Sequence, residues 1–225
     1  MIFSDDFTTN VAAGSWSSSA YSANWAAYSG FNDTSGAGTY DTSNISVSNS
    51  CLILHLSTVN GVVQVAAPSP ILPGKSAYTG QIYGMYSVCF TADPGLNGFK
   101  TAWLLWPDAT PGNPGGNWNS GEIDFPEGDL GGTISAFDHT VGDPSVNAFV
   151  ANTSATYTSW HVATIEWTAA GVTYLLDGKV IGTSTMSPSA SMHWMIQTET
   201  NGGAPAPSVA GNLYVDWVAI YAPAS

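Results

Sequence analysis

Three carboxylates within one short predicted strand are the most informative feature of the chain. Glu122, Asp124 and Glu127 stand in a protein in which only 8% of the residues are charged. In an extended strand alternate side chains share a face, so Glu122 and Asp124 are expected to point the same way. Glu127 has the opposite parity, and one extra residue inserted as a β-bulge would return it to that face. Pro126 agrees with a bulge, because a residue without an N–H is tolerated in sheets mainly at bulges and edges.

Two facing glutamates are the machinery of glycoside hydrolysis. With the bulge, the Cα atoms of Glu122 and Glu127 would lie about 13 Å apart, and inward-leaning side chains could bring the carboxyl groups to the roughly 5–5.5 Å of retaining glycosidases. The spacing therefore predicts Glu122 as nucleophile and Glu127 as general acid/base, with Asp124 between them. The alternative is a solvated acidic face or an ion site. Facing carboxylates disfavour each other's ionisation, and the nearest lysines in the chain, Lys100 and Lys179, are distant in sequence. We therefore favour the catalytic interpretation.

The acidic strand and its surroundings resemble glycoside hydrolase family 16, the family of laminarinase-like and lichenase-like endo-glucanases. E-x-D-x-x-E at residues 122–127 is accompanied by further segments in the family's order. They are F-S-D-D-F (3–7), Y-G-M-Y (83–86), A-W-L-L (102–105), W-H with I-E-W and L-D-G-K (160–179), and V-D-W-V-A-I-Y (215–221). The resemblance implies an all-β fold, an antiparallel jelly-roll sandwich with a concave substrate cleft. It also implies retaining endo-hydrolysis of a β-linked polysaccharide.

Binding residues are expected around the acidic strand. The resemblance implies cleft contacts for Trp103 and His139, and a structural Ca²⁺ near Asp216, although one Asp is a poor signature for an ion that takes six to eight oxygens. Trp106 and Trp118 flank the Pro/Gly/Asn-rich loop before Glu122, and aromatic rings stack on sugar faces.

Two polar residues of a later strand complete the predicted site. Gln197 and Glu199 share one face of the segment 193–199, where they could bind sugar hydroxyls or mark an exposed edge strand. For Trp103, Trp106 and His139 the alternative is an ordinary structural role in the core.

Composition predicts one β-domain over residues 1–225 and a neutral ligand. Sixteen acidic residues against three lysines and no arginine give a net charge of −13. This charge argues against nucleic acid, whose binding depends on cations that neutralise phosphates, and against anionic polysaccharides. No apolar run is long enough for a membrane span. We expect a monomer that is secreted, with its leader absent from this sequence. Cys51 and Cys89 could pair or remain free thiols.

Three rival functions share these features. A lectin-like sandwich would bind glycans without cutting them. A polysaccharide lyase would need to neutralise a uronate, for which this chain has no arginine. A transglycosylase would use the same carboxylates as a hydrolase. The sequence does not distinguish β-1,3 from β-1,4 linkages or glucan from galactan, and a β-1,3- or β-1,3(1,4)-glucan is the substrate we favour.

Overall fold

The structure is a computed structural model that describes residues 1–110 and 115–223. Period-two alternation of apolar and polar residues dominates the sequence, and the described chain accordingly forms short and medium strands joined by turns. In the described ranges, four short 3₁₀ helices cover Trp16–Ser18, Ala20–Ala23, Thr42–Asn44 and Trp118–Ser120. The strands are β1 (Phe3–Asp5), β2 (Trp25–Ala27), β3 (Gly38–Tyr40), β4 (Ile45–Ser48), β5 (Cys51–Val59), β6 (Val62–Val65), β7 (Pro68–Pro70), β8 (Gly84–Ala92), β9 (Phe99–Pro107), β10 (Glu122–Asp129), β11 (Thr133–Thr140), β12 (Asp143–Thr156), β13 (His161–Thr168), β14 (Gly171–Leu176), β15 (Lys179–Ser184), β16 (Met192–Thr200) and β17 (Gly211–Tyr221).

Two sheets pack face to face. The larger follows the order β15-β14-β13-β8-β17-β5-β6-β3, with β1 beside β17 and β4 beside β5, and the smaller follows β12-β11-β10-β9-β16. Strands β2 and β7 form a separate pair. The strand pairs of the described residues are antiparallel apart from β3–β6, which is parallel. The predicted jelly-roll sandwich is confirmed, and β10 with its three carboxylates lies in the middle of the five-stranded sheet. Within the described ranges no helix has the length and apolar character needed to cross a bilayer.

The alternation of β9 decides which of its side chains enter the core. Phe99, Trp103 and Leu105 are each 0% exposed, and the Trp103 ring meets the ring of Phe90 from β8 edge-on, with centroids 5.1 Å apart. The prediction that Trp103 contacts substrate is therefore wrong. Its parity along β9 places it between the two sheets, whereas the opposite face of β9 begins with the strand's one charged residue, Lys100.

Cys51 and Cys89 are free thiols. They lie on β5 and β8, and β17 separates these strands. Two interstrand spacings of about 4.8 Å put the cysteines about 9.6 Å apart, beyond the roughly 7 Å Cα separation that a disulfide tolerates. Burial and the nearby Asp216 carboxylate raise the pKa of both thiols, that of Cys89 to about 11.

The same neighbours bear on the predicted calcium ion. Ca²⁺ prefers oxygen ligands, and the charge of Asp216 acts on both thiols. Among the described residues, Asp216 belongs to no group of three or more His, Cys, Asp or Glu side chains with the spacing of a metal site. Calcium at Asp216 stays a prediction from the resemblance.

Asp138 of β11 is a carboxyl group inside the sandwich core. It is 0% exposed, and neither of its oxygens has a hydrogen-bond partner in the described part of the chain. Burial raises the pKa of Asp138 to about 6, because an apolar environment disfavours the charged form. The fold therefore holds this group neutral in mildly acidic solution.

The raised pKa makes stability depend on pH. Because the folded value lies above the ordinary 3.8, this contribution to stability is complete below pH 3.8 and is lost as pH rises through about 6. The shift corresponds to roughly 3 kcal/mol at neutral pH. Asp138→Asn is expected to remove this loss, so its free energy of unfolding in denaturant titrations should fall less between pH 4 and 7. The exposed Asp143→Asn is the control. Equal pH dependence in Asp138→Asn and the unsubstituted protein would contradict the assignment.

Candidate active site

A bulge interrupts β10 between Asp124 and Glu127. Asp124 faces Leu104 on β9, whereas Glu127 faces Ala102, so three steps along β10 match two steps on its neighbour. The same shift occurs against β11. One extra residue therefore restores the parity of Glu127 and returns it to the face of Glu122. The bulge predicted from the spacing is confirmed.

The carboxylates of this face open into a cavity of about 490 Å³. Strands β9, β10, β11 and β16 form its floor. The segment 28–40, which contains β3, forms one wall, a contribution that the sequence motifs did not indicate. The predicted residues that line the cavity are Glu122, Asp124, Glu127, Trp106, Trp118, His139, Gln197 and Glu199.

Asp124 is the most deeply buried carboxyl group of the site, at 2% exposure. Burial, followed by the charges of Glu122 and Glu127, raises the pKa of Asp124 well above its usual value. His139 Nε2 lies 3.2 Å from Asp124 Oδ2, and its Nδ1 donates to the Pro144 carbonyl over 2.7 Å. A protonated Asp124 can donate to the neighbouring Glu122 carboxylate, which removes one negative charge from the cavity.

Glu122 lies between acidic and basic neighbours. Burial raises its pKa, and the charge of Glu127 adds to this, whereas His139, Trp118 and Asp124 oppose it. His139 Nε2 is 3.9 Å from Glu122 Oε2. Because the proton of the central pair resides preferentially on Asp124, Glu122 is the carboxylate left free to act as a nucleophile.

Lys100 corrects the expectation that the acidic residues lack a cation. Its Nζ lies 3.2 Å from Glu127 Oε1 and 3.4 Å from Glu199 Oε2. Antiparallel pairing of β9 with β10 and β16 brings these three residues together although they are far apart in sequence. Distance in sequence gave the wrong expectation for Lys100, because the pairing of strands decides which residues are neighbours in a sheet.

Glu199 is also held within the protein. It is 1% exposed, and its Oε1 accepts hydrogen bonds from the Thr34 backbone and hydroxyl and from the Tyr40 hydroxyl. Its other oxygen faces Lys100. Both oxygens thus have partners within the protein, and sugar binding by Glu199 stays a prediction.

The remaining predicted contacts lie at the cavity. Trp118 is 44% exposed and meets the His139 ring edge-on, with centroids 6.0 Å apart. Trp106 is partly buried, and its indole N–H donates to the Gly115 carbonyl over 2.8 Å. Gln197 lines the floor, with its side-chain oxygen 3.5 Å from the Tyr40 hydroxyl. Their role in substrate binding stays a prediction.

One group of this site has the spacing of a metal site. Donor atoms of Glu122, Asp124 and His139 lie within 4.8 Å of one another, and carboxylate plus imidazole could hold a divalent cation. Glycoside hydrolysis by paired carboxylates requires no metal, so no step below depends on one.

Solved structures share this architecture over the full chain. A laminarinase from Flavobacterium sp. UMI-01 has a TM-score of 0.77 at 15% identity, with 99% of this chain and 100% of that chain covered. A variant of SCLam, a non-specific endo-β-1,3(4)-glucanase from family GH16, has a TM-score of 0.76 at 17% identity, covering 99% and 94%. The chain has the family 16 fold.

A third structure with this fold comes from work on endo-acting O-glycanases of human gut microbiota that initiate mucin breakdown. It has a TM-score of 0.75 at 17% identity and covers 100% of both chains. No family model matches the sequence, and no curated protein does so.

The exposed ring of Trp118 at the cavity makes a testable contact. Trp118→Ala is expected to raise KM for a glucan about tenfold, equivalent to about 1.4 kcal/mol of lost stacking. Trp160→Ala is the matched control, because Trp160 is similarly exposed, at 50%, and does not line the cavity. Steady-state kinetics of both variants measure the difference. Equal KM values for Trp118→Ala and Trp160→Ala would contradict a binding role for Trp118.

Proposed function

We propose that the protein is a retaining endo-glycoside hydrolase that cleaves a neutral β-linked polysaccharide, a β-1,3- or β-1,3(1,4)-glucan by preference. The observation that carries this proposal is the bulge in β10, which puts Glu122 and Glu127 on one face of an open cavity. Two carboxylates on one face of a cleft are what a double-displacement mechanism requires.

In this mechanism Glu122 attacks the anomeric carbon while Glu127 donates a proton to the leaving glycosidic oxygen. The C–O bond to the leaving sugar breaks, and a glycosyl-enzyme ester forms on Glu122. Glu127, now ionised, removes a proton from a water molecule that attacks the same carbon. Ester cleavage releases the second product and regenerates both groups. A neutral Asp124 between them would orient Glu122 without adding a third negative charge.

An uncharged substrate agrees with the electrostatics of the cavity. Lys100, the lysine that lines it, is committed to Glu127 and Glu199, which leaves an anionic sugar facing carboxylates. Trp106, Trp118 and further aromatic rings of the lining supply apolar surface for sugar faces. The variant of SCLam with this fold was crystallised with a neutral β-glucan oligosaccharide, 1,3-β-D-cellobiosyl-cellobiose.

We further propose that residues 1–225 act as one monomeric catalytic domain outside the cell. Pairing of β1 with β17 joins the two ends of the chain in one sheet, which supports a single domain. Extracellular action follows from the size of a polysaccharide substrate. Transglycosylation would use the same residues and would appear as products longer than the substrate. Cleavage of a mucin O-glycan would instead favour an endo-acting O-glycanase, the kind of enzyme studied in the work from which the third structure comes.

Glu122→Gln tests the nucleophile assignment. The substitution keeps size and hydrogen-bonding shape but removes nucleophilicity, so hydrolysis is expected to fall at least about a thousandfold while oligosaccharide affinity and melting temperature stay close to those of the unsubstituted protein. The matched control is Glu166→Gln, an exposed glutamate on β13, which should keep full activity.

Product analysis over laminarin, mixed-linkage glucan, xyloglucan, agarose, galactan and mucin O-glycans identifies the substrate. A Glu122→Gln variant that retains more than a tenth of the activity contradicts the assignment, and a protein that binds but cuts none of these glycans is a lectin.

A further inference from the structure

Lys100 lies between two carboxylates at the floor of the cavity. Its ammonium group is 3.2 Å from Glu127 on one side and 3.4 Å from Glu199 on the other. The contact with Glu127 is also a hydrogen bond. The side chains meet because Lys100 of β9 pairs directly with Glu199 of β16 in the sheet register, while Glu127 returns to the same face through the bulge.

Glu199 is fixed from the other side by the wall segment 28–40. Thr34 donates to Glu199 Oε1 through its backbone N–H and its hydroxyl, over 3.1 and 2.6 Å, and the Tyr40 hydroxyl donates to the same oxygen over 2.8 Å. Burial and the charge of Glu199 raise the pKa of Tyr40 far above its usual value, so the hydroxyl keeps the proton that it donates. The segment itself is fixed through Asp33, whose carboxylate accepts two bonds of 2.7 Å from Thr200.

The pairing of Lys100 with two carboxylates reconciles two requirements on the general acid: a fixed position and a retained proton. A lysine beside a general acid holds its carboxyl group in place but favours the ionised form, which cannot donate a proton. A second carboxylate on the far side of the lysine offsets part of that charge. The lysine can then remain bound to the acid while the acid keeps its proton.

We propose that Lys100 and Glu199 are positioning residues for the proposed reaction: Lys100 holds the Glu127 carboxyl group in place, and Glu199 tempers the lysine's charge so that Glu127 can alternate between acid and base. Lys100 acts through Glu127, and Glu199 acts through Lys100. The proposal rests on the hydrolase function above, and it makes the wall segment, through Thr34 and Tyr40, part of the catalytic apparatus.

Several other groups face Glu127 and must be held constant in a test. Asp124 and Glu122 share its strand, and His139 from β11 lines the same cavity. Tyr157 lies close enough for the Glu127 charge to act on it. The variants compared by pH profile leave all of these groups unaltered, and the variants compared by NMR all carry the same Glu122→Gln substitution.

The pH profile of kcat/KM distinguishes an electrostatic effect of Lys100 and Glu199 on Glu127 from a purely structural role. Lys100→Met removes the cation, so the basic limb, where the general acid loses its proton, is expected to move up by about one pH unit. Glu199→Gln leaves the full lysine charge on Glu127 and is expected to move the same limb down, while its amide oxygen still accepts from Thr34 and Tyr40. The double variant is expected to return towards the original profile. Lys179→Met, an exposed lysine on β15, is the control and should leave the profile unchanged.

Opposite displacements of the basic limb support the proposal. Basic limbs that stay in place, or that move in the same direction in both variants, overturn it, even where kcat falls. If Lys100→Met does not fold, the double variant Lys100→Met/Glu199→Gln is compared with Glu199→Gln alone. The double variant leaves no unpaired lysine charge beside Glu127, so the basic limb of its pH profile must lie at higher pH than that of Glu199→Gln.

A readout without turnover separates this proposal from the proposed function. The ¹³C carboxyl resonance of Glu127, followed by NMR in the Glu122→Gln background, should titrate at higher pH with Lys100→Met and at lower pH with Glu199→Gln. Titrations that do not respond overturn the charge coupling whether or not the protein is a hydrolase. Responsive titrations in a protein that cleaves no glycan would refute the proposed function and leave the coupling in place.

Discussion

The single extra residue in β10 is the constraint on which the site depends. Without the bulge between Asp124 and Glu127, strict alternation would direct Glu127 into the sandwich core, where Ile123 and Phe125 lie. An ionised carboxylate among those apolar side chains would be strongly destabilising. With the bulge, one strand supplies both glutamates to the same cavity, and the remaining strands of the five-stranded sheet supply its floor.

Concentrating carboxylates in one partly buried cavity has an electrostatic cost that the surrounding residues offset. Asp124 is held neutral by burial and by the charges of its neighbours, and the Glu122 carboxylate beside it provides an acceptor for its proton. At the other end of the site Lys100 compensates Glu127 and Glu199 together. The acid residues are thus distributed in distinct protonation environments, which is how enzymes assign separate acid and nucleophile roles to chemically similar groups. The wall segment 28–40 stabilises this distribution through its bonds to Glu199.

The sequence predicted the strand and the bulge because those features are local. Parity and a proline are visible within six positions, and the all-β class follows from the period-two pattern. Trp103 was misplaced because its role was carried over from a resemblance, whereas the parity of β9, with Lys100 on the opposite face, directs it into the core. Lys100 and Glu199 could be understood only through strand pairing, since the partners of a β-strand are not determined by distance along the chain. A lysine on the cleft-facing parity of β9 was the one available signal.

Proton NMR of the earliest digestion products tests most directly whether the bulge makes Glu122 and Glu127 a facing pair. If the two carboxyl groups lie close enough for covalent catalysis, cleavage proceeds through a glycosyl-enzyme and the new reducing end first appears as the β-anomer, followed by slower mutarotation. A first-formed α-anomer would mean that a water molecule attacks directly across a wider gap. That result would contradict the retaining mechanism and the role assigned to the bulge.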